Sequence, residues 1–354
     1  MRSPVLSIIM SVYNGAAYLN EAMDSIINQT YQNWELIVID DASTDMSYHI
    51  LTSYQDSRII LLRNTENLKL AASLNKGLGI AKGEYIVRMD ADDVCRLDRL
   101  ERQLEFMHEN PDIDISWGKC YRYQNNEIMR LPQLVSPNYN DIQATFLFQS
   151  PIMHNCIIAK RQFYETFQYN PEYTVSEDWN LWYRSSRVFK FACQNEYLML
   201  YRTHDQQTTN TKNPINDLLA QQYTANFSEY AAQAGMAVSA KQIAFHVSLI
   251  VNSNIVIASQ LQLWFHHLIT ENKNYQYYKN RSLLFACFDK TSALYREHRL
   301  SKFAYLETLV KLNLFYLPFY IFHKSILLMN DQSAHKRGIS SFQTIKVPKK
   351  FASS

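Results

Sequence analysis

The sequence predicts an α/β protein: a mostly parallel, doubly wound sheet flanked by helices, followed by a mainly helical C-terminal region. Three observations carry this reading. Residues 5–90 alternate short apolar runs with segments of helical periodicity, the order produced when crossover helices join parallel strands. The apolar runs are continuous, as in strands buried on both faces. After about residue 212 the strand patterns give way to long Ala-, Gln-, Leu- and aromatic-rich stretches with helical spacing.

In chain order, "VLSIIMSV" (5–12), "ELIVID" (35–40), "RIILL" (58–62) and "EYIVRMD" (84–90) read as strands. Between them, Leu19, Met23, Ile26 and Ile27 mark a helix within 15–30, and Leu70, Leu74, Leu78 and Ala81 another over 69–82, ended at Gly83. A further helix carries Leu97, Leu100, Leu104 and Met107 and breaks at "ENPD". Residues 113–123 and 155–159 read as strands, and 176–189 as a helix with Ser176 at its N-cap. We divide the chain into an α/β domain over 1–212, with halves 1–98 and 99–212, a helical region over 213–330, and a loosely ordered polar and basic tail over 331–354.

The 354 residues are 47% hydrophobic and 19% charged, with a formal net charge of +2. That suffices for one large or two modest cores, and gives no overall basic field that would make nucleic acid the main partner. Five scattered cysteines without a CxxC pair argue for a reducing compartment and against a disulfide framework or zinc site. The N-terminal apolar run is too short and too soon polar for a signal peptide, so the expected location is cytoplasmic. "LNLFYLPFYIFH" (312–323) is about a dozen residues long where a span needs roughly 20.

Four constellations could carry chemistry. "MDADD" places Asp90, Asp92 and Asp93 at the end of a strand. Extended geometry aims Asp90 and Asp92 to one side and turns Asp93 away unless the chain bends. A hard divalent cation, Mn2+ or Mg2+, would relieve the repulsion; the competing reading is that Asp93 and Asp98 cap the next helix. "IDDAST" puts Asp40 and Asp41 at a neighbouring strand end, with helix entry as its alternative. "SEDWNLW" sets Glu177 and Asp178 in a first helical turn, where the macrodipole also favours carboxylates. "LYRTH" supplies Arg202, a fork suited to phosphate oxygens, and His204, a ligand or acid/base. No P-loop, GxGxxG or GxSxG motif is present, which disfavours dinucleotide and serine-hydrolase chemistry.

Together and in order, these motifs resemble the inverting glycosyltransferases of family 2, which have the GT-A fold. The resemblance runs over roughly residues 5–210, through "LSIIMSVYNGAAYLNEAMDSIINQTYQNWELIVIDDASTD", "NLKLAASLNKGLGIAKGEYIVRMDADDVCRLDRLERQ", "MHNCIIAKRQF" and "VSEDWNLWYRSSRVFKFACQNEYLMLYRTHDQQT". It implies a nucleotide-sugar half (1–98) and an acceptor-side half (99–212). Tyr13 and Asp41 would hold the nucleotide base, Asp90 the ribose or metal, and Asp92 the metal on the donor diphosphate. Asp178, second of the Glu177–Asp178 pair, would be the catalytic base. Arg202 and His204 would hold the diphosphate or complete the metal shell, and Arg88 would touch the diphosphate. The implied donor is a nucleoside diphosphate sugar, uridine-linked, and the acceptor a hydroxyl of a glycan or lipid-linked molecule, as in bacterial surface polysaccharide synthesis. The chain departs from the family where many relatives have Asn-x-Gly and this one has Asn67-Leu68-Lys69, and where Pro is common and Ser11 stands.

One base without a second nucleophilic carboxylate predicts inversion. The rival readings are a catalytically inactive glycan-binding scaffold and a metal-dependent phosphohydrolase or nucleotidyltransferase. For the C-terminal region, packing onto the core competes with a peripheral contact of 302–329 at the inner face of the cytoplasmic membrane, Lys302, Lys311 and Lys324 lying near headgroups.

Overall fold

The structure, a computed structural model, describes residues 4–343 except 131, 132, 134, 206, 208–213, 234, 252–254, 277, 314 and 315. The first half runs β1 (Leu6–Val12), α1 (Ala16–Ile27), β2 (Trp34–Asp40), α2 (Ser47–Ser53), β3 (Ile59–Arg63), α3 (Lys69–Leu78) and β4 (Tyr85–Asp90). Then follow β5 (Val94–Cys95), α4 (Arg99–Glu109), β6 (Ile115–Gln124), β7 (Glu127–Met129), α5 (Tyr139–Thr145), β8 (Ile157–Lys160), α6 (Arg161–Thr166), α7 (Glu177–Ser185) and β9 (Phe191–Arg202). A single 3-10 turn, His154–Cys156, leads into β8.

The continuous apolar runs become strands because each feeds two cores. Leu6, Ile8 and Met10 of β1, Leu36 and Val38 of β2, and Val87 of β4 pack with Leu19 and Met23 of α1 and Leu100 and Leu104 of α4. The alternate residues Ile9, Ile37, Ile39 and Ile86 pack on the other face with Leu74 of α3 and Leu181 and Trp182 of α7. Full burial of each such side chain stabilises by roughly 1.5–3 kcal/mol, so a one-residue slip in register is strongly disfavoured.

The sheet order is β3-β2-β1-β4-β8-β6-β9-β5, with β7 beside β6. The first four strands are parallel, and antiparallel β8 joins them to the parallel pair β6 and β9. Chain order reverses at β1, whose neighbours are β2 and β4, so a crevice opens at their carboxyl ends. Val12 lies opposite Asp40, and Ser11 opposite Asp90. The sheet thereby gathers the acidic motifs of β2 and β4 on one edge.

The C-terminal region consists, in its described residues, of α8 (Pro214–Gln233), α9 (Ala240–Val251), α10 (Ala258–Tyr275), α11 (Asn280–Arg296), α12 (Lys302–Asn313) and α13 (Leu317–Gln343). Its core, including Phe227, Trp264, Phe265, Leu283 and Phe288, takes in Ala144 of α5 with the following Leu147 and Phe148. These helices therefore pack on the α/β domain, as the packing reading expects. No described helix is long and apolar enough to cross a membrane.

Two expectations are corrected here. The tail expected from residue 331 is helical to residue 343 within α13, which lies against β9 and buries Asp331 completely; residues 344–354 fall outside the described ones. The second helix ends at Leu78, not at Gly83. Gly83 answers a different need: a Cβ there would stand 2.4 Å from the Ser7 nitrogen, so only glycine lets the chain pass that close to β1.

Candidate active site

The loops after β1 and β2 are fastened to each other. The Asn14 N–H donates to Ser43 Oγ (3.0 Å), while Asn14 Oδ1 accepts from the Thr44 N–H (2.8 Å). Gly15 and Ala16 donate their N–H groups to Ser47 Oγ (2.9 Å) and Asp45 Oδ2 (3.0 Å). This junction leaves Tyr13 half exposed (51%) at the mouth of the crevice. The helix-entry reading of "IDDAST" is corrected. Buried Asp40 pairs with Arg63 (3.1 Å), and buried Asp41 accepts from Asn64 Nδ2 (2.7 Å) and the Leu68 N–H (2.8 Å). It is Asp45 that accepts the Ser47 N–H, 2.9 Å, at the start of α2. Lys69, where the family resemblance leads one to expect glycine, adopts φ 71°, the left-handed conformation that glycine takes without strain.

At the end of β4 the chain bends, and Asp93 does not turn away. Carboxylate oxygens of Asp90, Asp92 and Asp93 all lie within 4.8 Å of one another. The capping reading fails for both of its residues. Asp93 is fully buried, accepting from the Asn155 side chain and from the Arg202 N–H (2.8 Å). Asp98 occupies the N-cap position of α4 without a side-chain cap bond and pairs with Arg96 (2.5 Å). Asp90 pairs with Arg88, which is almost fully buried on the Ile86 face of β4 rather than open to a ligand. From α4, the buried Arg99 donates to the Arg88 carbonyl (2.8 Å) and steadies the strand end.

Burial, then the charges of Asp92 and Asp90, push the Asp93 carboxyl well above the ordinary range. Burial also raises Asp90, against the pull of Arg88. Three convergent carboxylates, charge-strained and built only of hard oxygen donors, fit a divalent cation of the Mg2+ or Mn2+ kind.

β9 delivers the remaining polar groups to this centre. His204 Nε2 lies 3.0 Å from Asp92 Oδ2, its ring 4.7 Å from that of Tyr18. The Arg202 guanidinium sits between the rings of Tyr18 (4.6 Å) and Tyr123 (4.5 Å). It donates to Glu21 Oε2 (2.5 Å) and the Asp92 carbonyl (2.7 Å). Tyr18, Glu21 and Tyr123 escape sequence reasoning. The first two belong to a helix read only for its apolar stripe, and the third meets Arg202 only when β6 pairs with β9, Tyr123 opposite Arg202.

On the facing side, α7 begins with Glu177 and Asp178 as expected, but Ser176 makes no side-chain cap bond; its hydroxyl donates to Gln222 of α8 (3.0 Å). Asp178 Oδ1 accepts from the Trp179 N–H (2.7 Å). Burial raises the Asp178 carboxyl, opposed by that N–H and by the Arg88 charge. Burial, and next the charge of Asp178, push Glu177 up to about 7. Both carboxylates also feel the charge of Asp90 at the end of β4. His154 Nε2 is 2.6 Å from the Tyr169 hydroxyl, and its ring lies edge-on to Trp182; burial, then Arg88, hold it neutral.

Residues 7–167 match the family described as Glycosyl transferase family 2. An uncharacterised glycosyltransferase of Haemophilus influenzae is 35% identical over 226 residues, which cover 59% of this chain and 69% of that protein. This chain is a family 2 glycosyltransferase. A second uncharacterised glycosyltransferase, from Methanocaldococcus jannaschii, is 32% identical over 208 residues, 57% of this chain and 72% of its own.

Among solved structures, TarS 1-349 of S. aureus in complex with UDP-GlcNAc aligns with a TM-score of 0.54 at 16% identity, over 94% of this chain and 92% of that one. The mannosyltransferase PcManGT of Pyrobaculum calidifontis in complex with GDP-Man and Mn2+ aligns at 0.50 and 15% identity, over 94% and 87%. These likenesses establish the GT-A fold of this family 2 glycosyltransferase. Its sheet edge brings together Asp41, Asp90, Asp92, Arg202 and His204, with Tyr13 at the rim, Arg88 buried beneath Asp90, and Glu177 and Asp178 at the start of α7.

Proposed function

We propose that this glycosyltransferase is metal-dependent and inverting, and that it transfers a sugar from a uridine diphosphate sugar to a hydroxyl of a glycan or lipid-linked acceptor in surface polysaccharide synthesis. The observation that carries the proposal is the division of the carboxylates. Asp90, Asp92 and Asp93 are clustered within 4.8 Å at the end of β4, whereas Asp178 stands apart on α7.

Asp90 and Asp92 would hold the cation, Mn2+ or Mg2+, with His204 beside Asp92. Bound there, it would supply Lewis-acid neutralisation of the charge on the departing diphosphate. Arg88 keeps a positive charge against Asp90. Arg202 is held in a fixed pose by Glu21 and two rings, ready to oppose negative charge on the leaving group without reorganising. Tyr13 offers a ring for the base to stack on, and Asp41 a carboxylate for a base N–H. Asp178 accepts the proton of the acceptor hydroxyl as its oxygen attacks the anomeric carbon from the face opposite the diphosphate. One displacement from that face inverts the configuration, and a general base so placed contributes of order 10²–10⁴ in rate.

A glycan-binding scaffold would gain nothing from buried, mutually repelling carboxylates, which cost stability in the absence of counter-charge. The nucleotidyltransferase reading lacks a Gly-rich entry loop in this sequence, and neither it nor the phosphohydrolase reading agrees with the family 2 match over residues 7–167. Five free cysteines fit a reducing, cytoplasmic site of action. The test is nucleoside diphosphate release from a panel of UDP-, GDP- and dTDP-sugars with Mn2+, with and without candidate acceptors. UDP release that rises with acceptor is the expected result. No turnover with any donor, together with no metal-dependent nucleotide binding, sinks the proposal.

A further inference from the structure

The outer surface of α12 and of the first half of α13 is unusual for a soluble face. Phe303, Leu306 and Val310 recur at helical spacing on one side of α12, and all three point outward, Phe303 being 79% exposed. On α13, Ile321, Phe322, Leu328 and Met329 are exposed as well, Phe322 at 67%. Leu263 of α10, the helix beside α12, is exposed too. The opposite sides of the same helices carry Leu309, Leu312, Tyr320 and Leu327 into the protein interior. Each helix is thus apolar on two sides, and only one of them is covered. Scattered single hydrophobes on a surface need no explanation, whereas a run of them along one exposed side of a helix marks a contact.

Charge says what the contact is with. Residues 302–354 carry eight Lys and Arg against two Asp and Glu, while residues 1–301 carry 27 against 31. Both acidic groups of the segment are answered internally, Glu307 by Lys311 (2.7 Å) and Asp331 by Lys119 (2.7 Å). Lys324, one of three lysines expected near headgroups, is instead taken up by Asp289 (2.8 Å). Lys302 and Lys336 are exposed, the first next to Phe303 and the second about two helical turns beyond Met329 on α13. A basic rim around exposed aromatic and aliphatic side chains complements an anionic lipid surface, and would set like charges against each other if two copies met there.

We propose that the outer faces of α12 and the first half of α13 form an interfacial docking surface for an anionic bilayer, the helices lying in the membrane plane with Phe303 and Phe322 in the acyl boundary. The docking holds irrespective of which donor or acceptor the crevice takes, and its test uses no turnover.

Full-length protein is sedimented with phosphatidylcholine vesicles, with and without phosphatidylglycerol. Wild type should pellet with the anionic vesicles and be released by high salt or alkaline carbonate. The Phe303→Ser/Phe322→Ser variant should bind those vesicles at least about tenfold more weakly. Lys302→Gln/Lys336→Gln should lose roughly fivefold per lysine on anionic vesicles and nothing on neutral ones. All four positions are exposed, so unchanged circular dichroism and nucleotide binding should accompany the losses. The proposal is overturned by wild type that stays in the supernatant, by serine variants that pellet like wild type, or by carbonate-resistant binding, which means insertion. A dimer in sedimentation equilibrium that the serine variant abolishes, without vesicle binding, would assign the face to a second copy.

Discussion

Asp331 fastens the C-terminal helix to the catalytic sheet, and replacing it by alanine makes that quantitative. Its carboxylate is fully buried and accepts from Lys119 Nζ (2.7 Å), from Arg130 and from the Tyr197 hydroxyl (3.0 Å), on β6, just beyond β7 and on β9 respectively. Lys119 is itself 3% exposed, so Asp331→Ala strands an ammonium that water does not reach. Removing one partner of such a pair costs about 3–5 kcal/mol. Because α13 reaches the sheet through this contact, the loss falls on its docking rather than on the molecule as a whole. Amide hydrogen exchange of residues 326–336 should therefore accelerate by roughly 10²–10⁴, with β1 and α1 unchanged. The double replacement Lys119→Met/Asp331→Met should recover part of the protection, since it removes the stranded ammonium while Arg130 and the Tyr197 hydroxyl still lose Asp331 as an acceptor.

Acid provides an independent check on the same contact. Burial alone would raise the Asp331 carboxyl, but the bonds from Lys119 and Arg130 outweigh it and hold it below its ordinary 3.8. A lowered folded value means that the fastening is in full force above the ordinary value and is lost as pH falls through the lowered one. Protection of 326–336 that changes less than tenfold in Asp331→Ala would refute the reasoning.

Three further outcomes are expected. Asp178→Asn should lower kcat by about 10²–10⁴ while leaving the donor Kd, measured by calorimetry with Mn2+, within twofold; Asp92→Asn should weaken metal-dependent donor binding as well. Since Glu177 is raised from 4.5 to about 7, the folded state holds its proton where the unfolded chain has released it, so stability falls as pH rises from 4.5 to 7. Glu177→Gln should abolish that part of the slope in thermal melts, and an unchanged slope would contradict the assignment. Lys69→Gly should stabilise by about 1 kcal/mol, because the relief of a left-handed lysine exceeds the entropy glycine adds to the unfolded chain; urea denaturation reads the sign.

The strands and their order of alternation were legible because burial on both faces leaves a continuous apolar run, and the amphipathic helices because only one side of each is covered. Short elements such as α2, β5 and β7 carry too few periods to be read. The acidic residues were legible as a set and misread as individuals. Whether an aspartate at a strand end caps the next helix or faces a ligand depends on what arrives from elsewhere in the chain. For Asp93 that is the backbone of Arg202, 109 residues away, and for Asp41 it is Asn64 and Leu68. Arg88 looked available to a diphosphate until Asp90, two residues on and on the same face, was seen to claim it. The polar end of α13 passed for a tail because its buried face is held by Asp331, whose partner Lys119 lies 212 residues earlier.

By itself the sequence determined the α/β class, the edge on which chemistry would gather, and the family, since all of these follow from local periodicity and ordered motifs. Only the tertiary structure decided which carboxylates converge, which are already partnered, and which apolar faces stay uncovered. Those are questions of distance and solvent access between segments far apart in the chain, where a sequence pattern specifies neither.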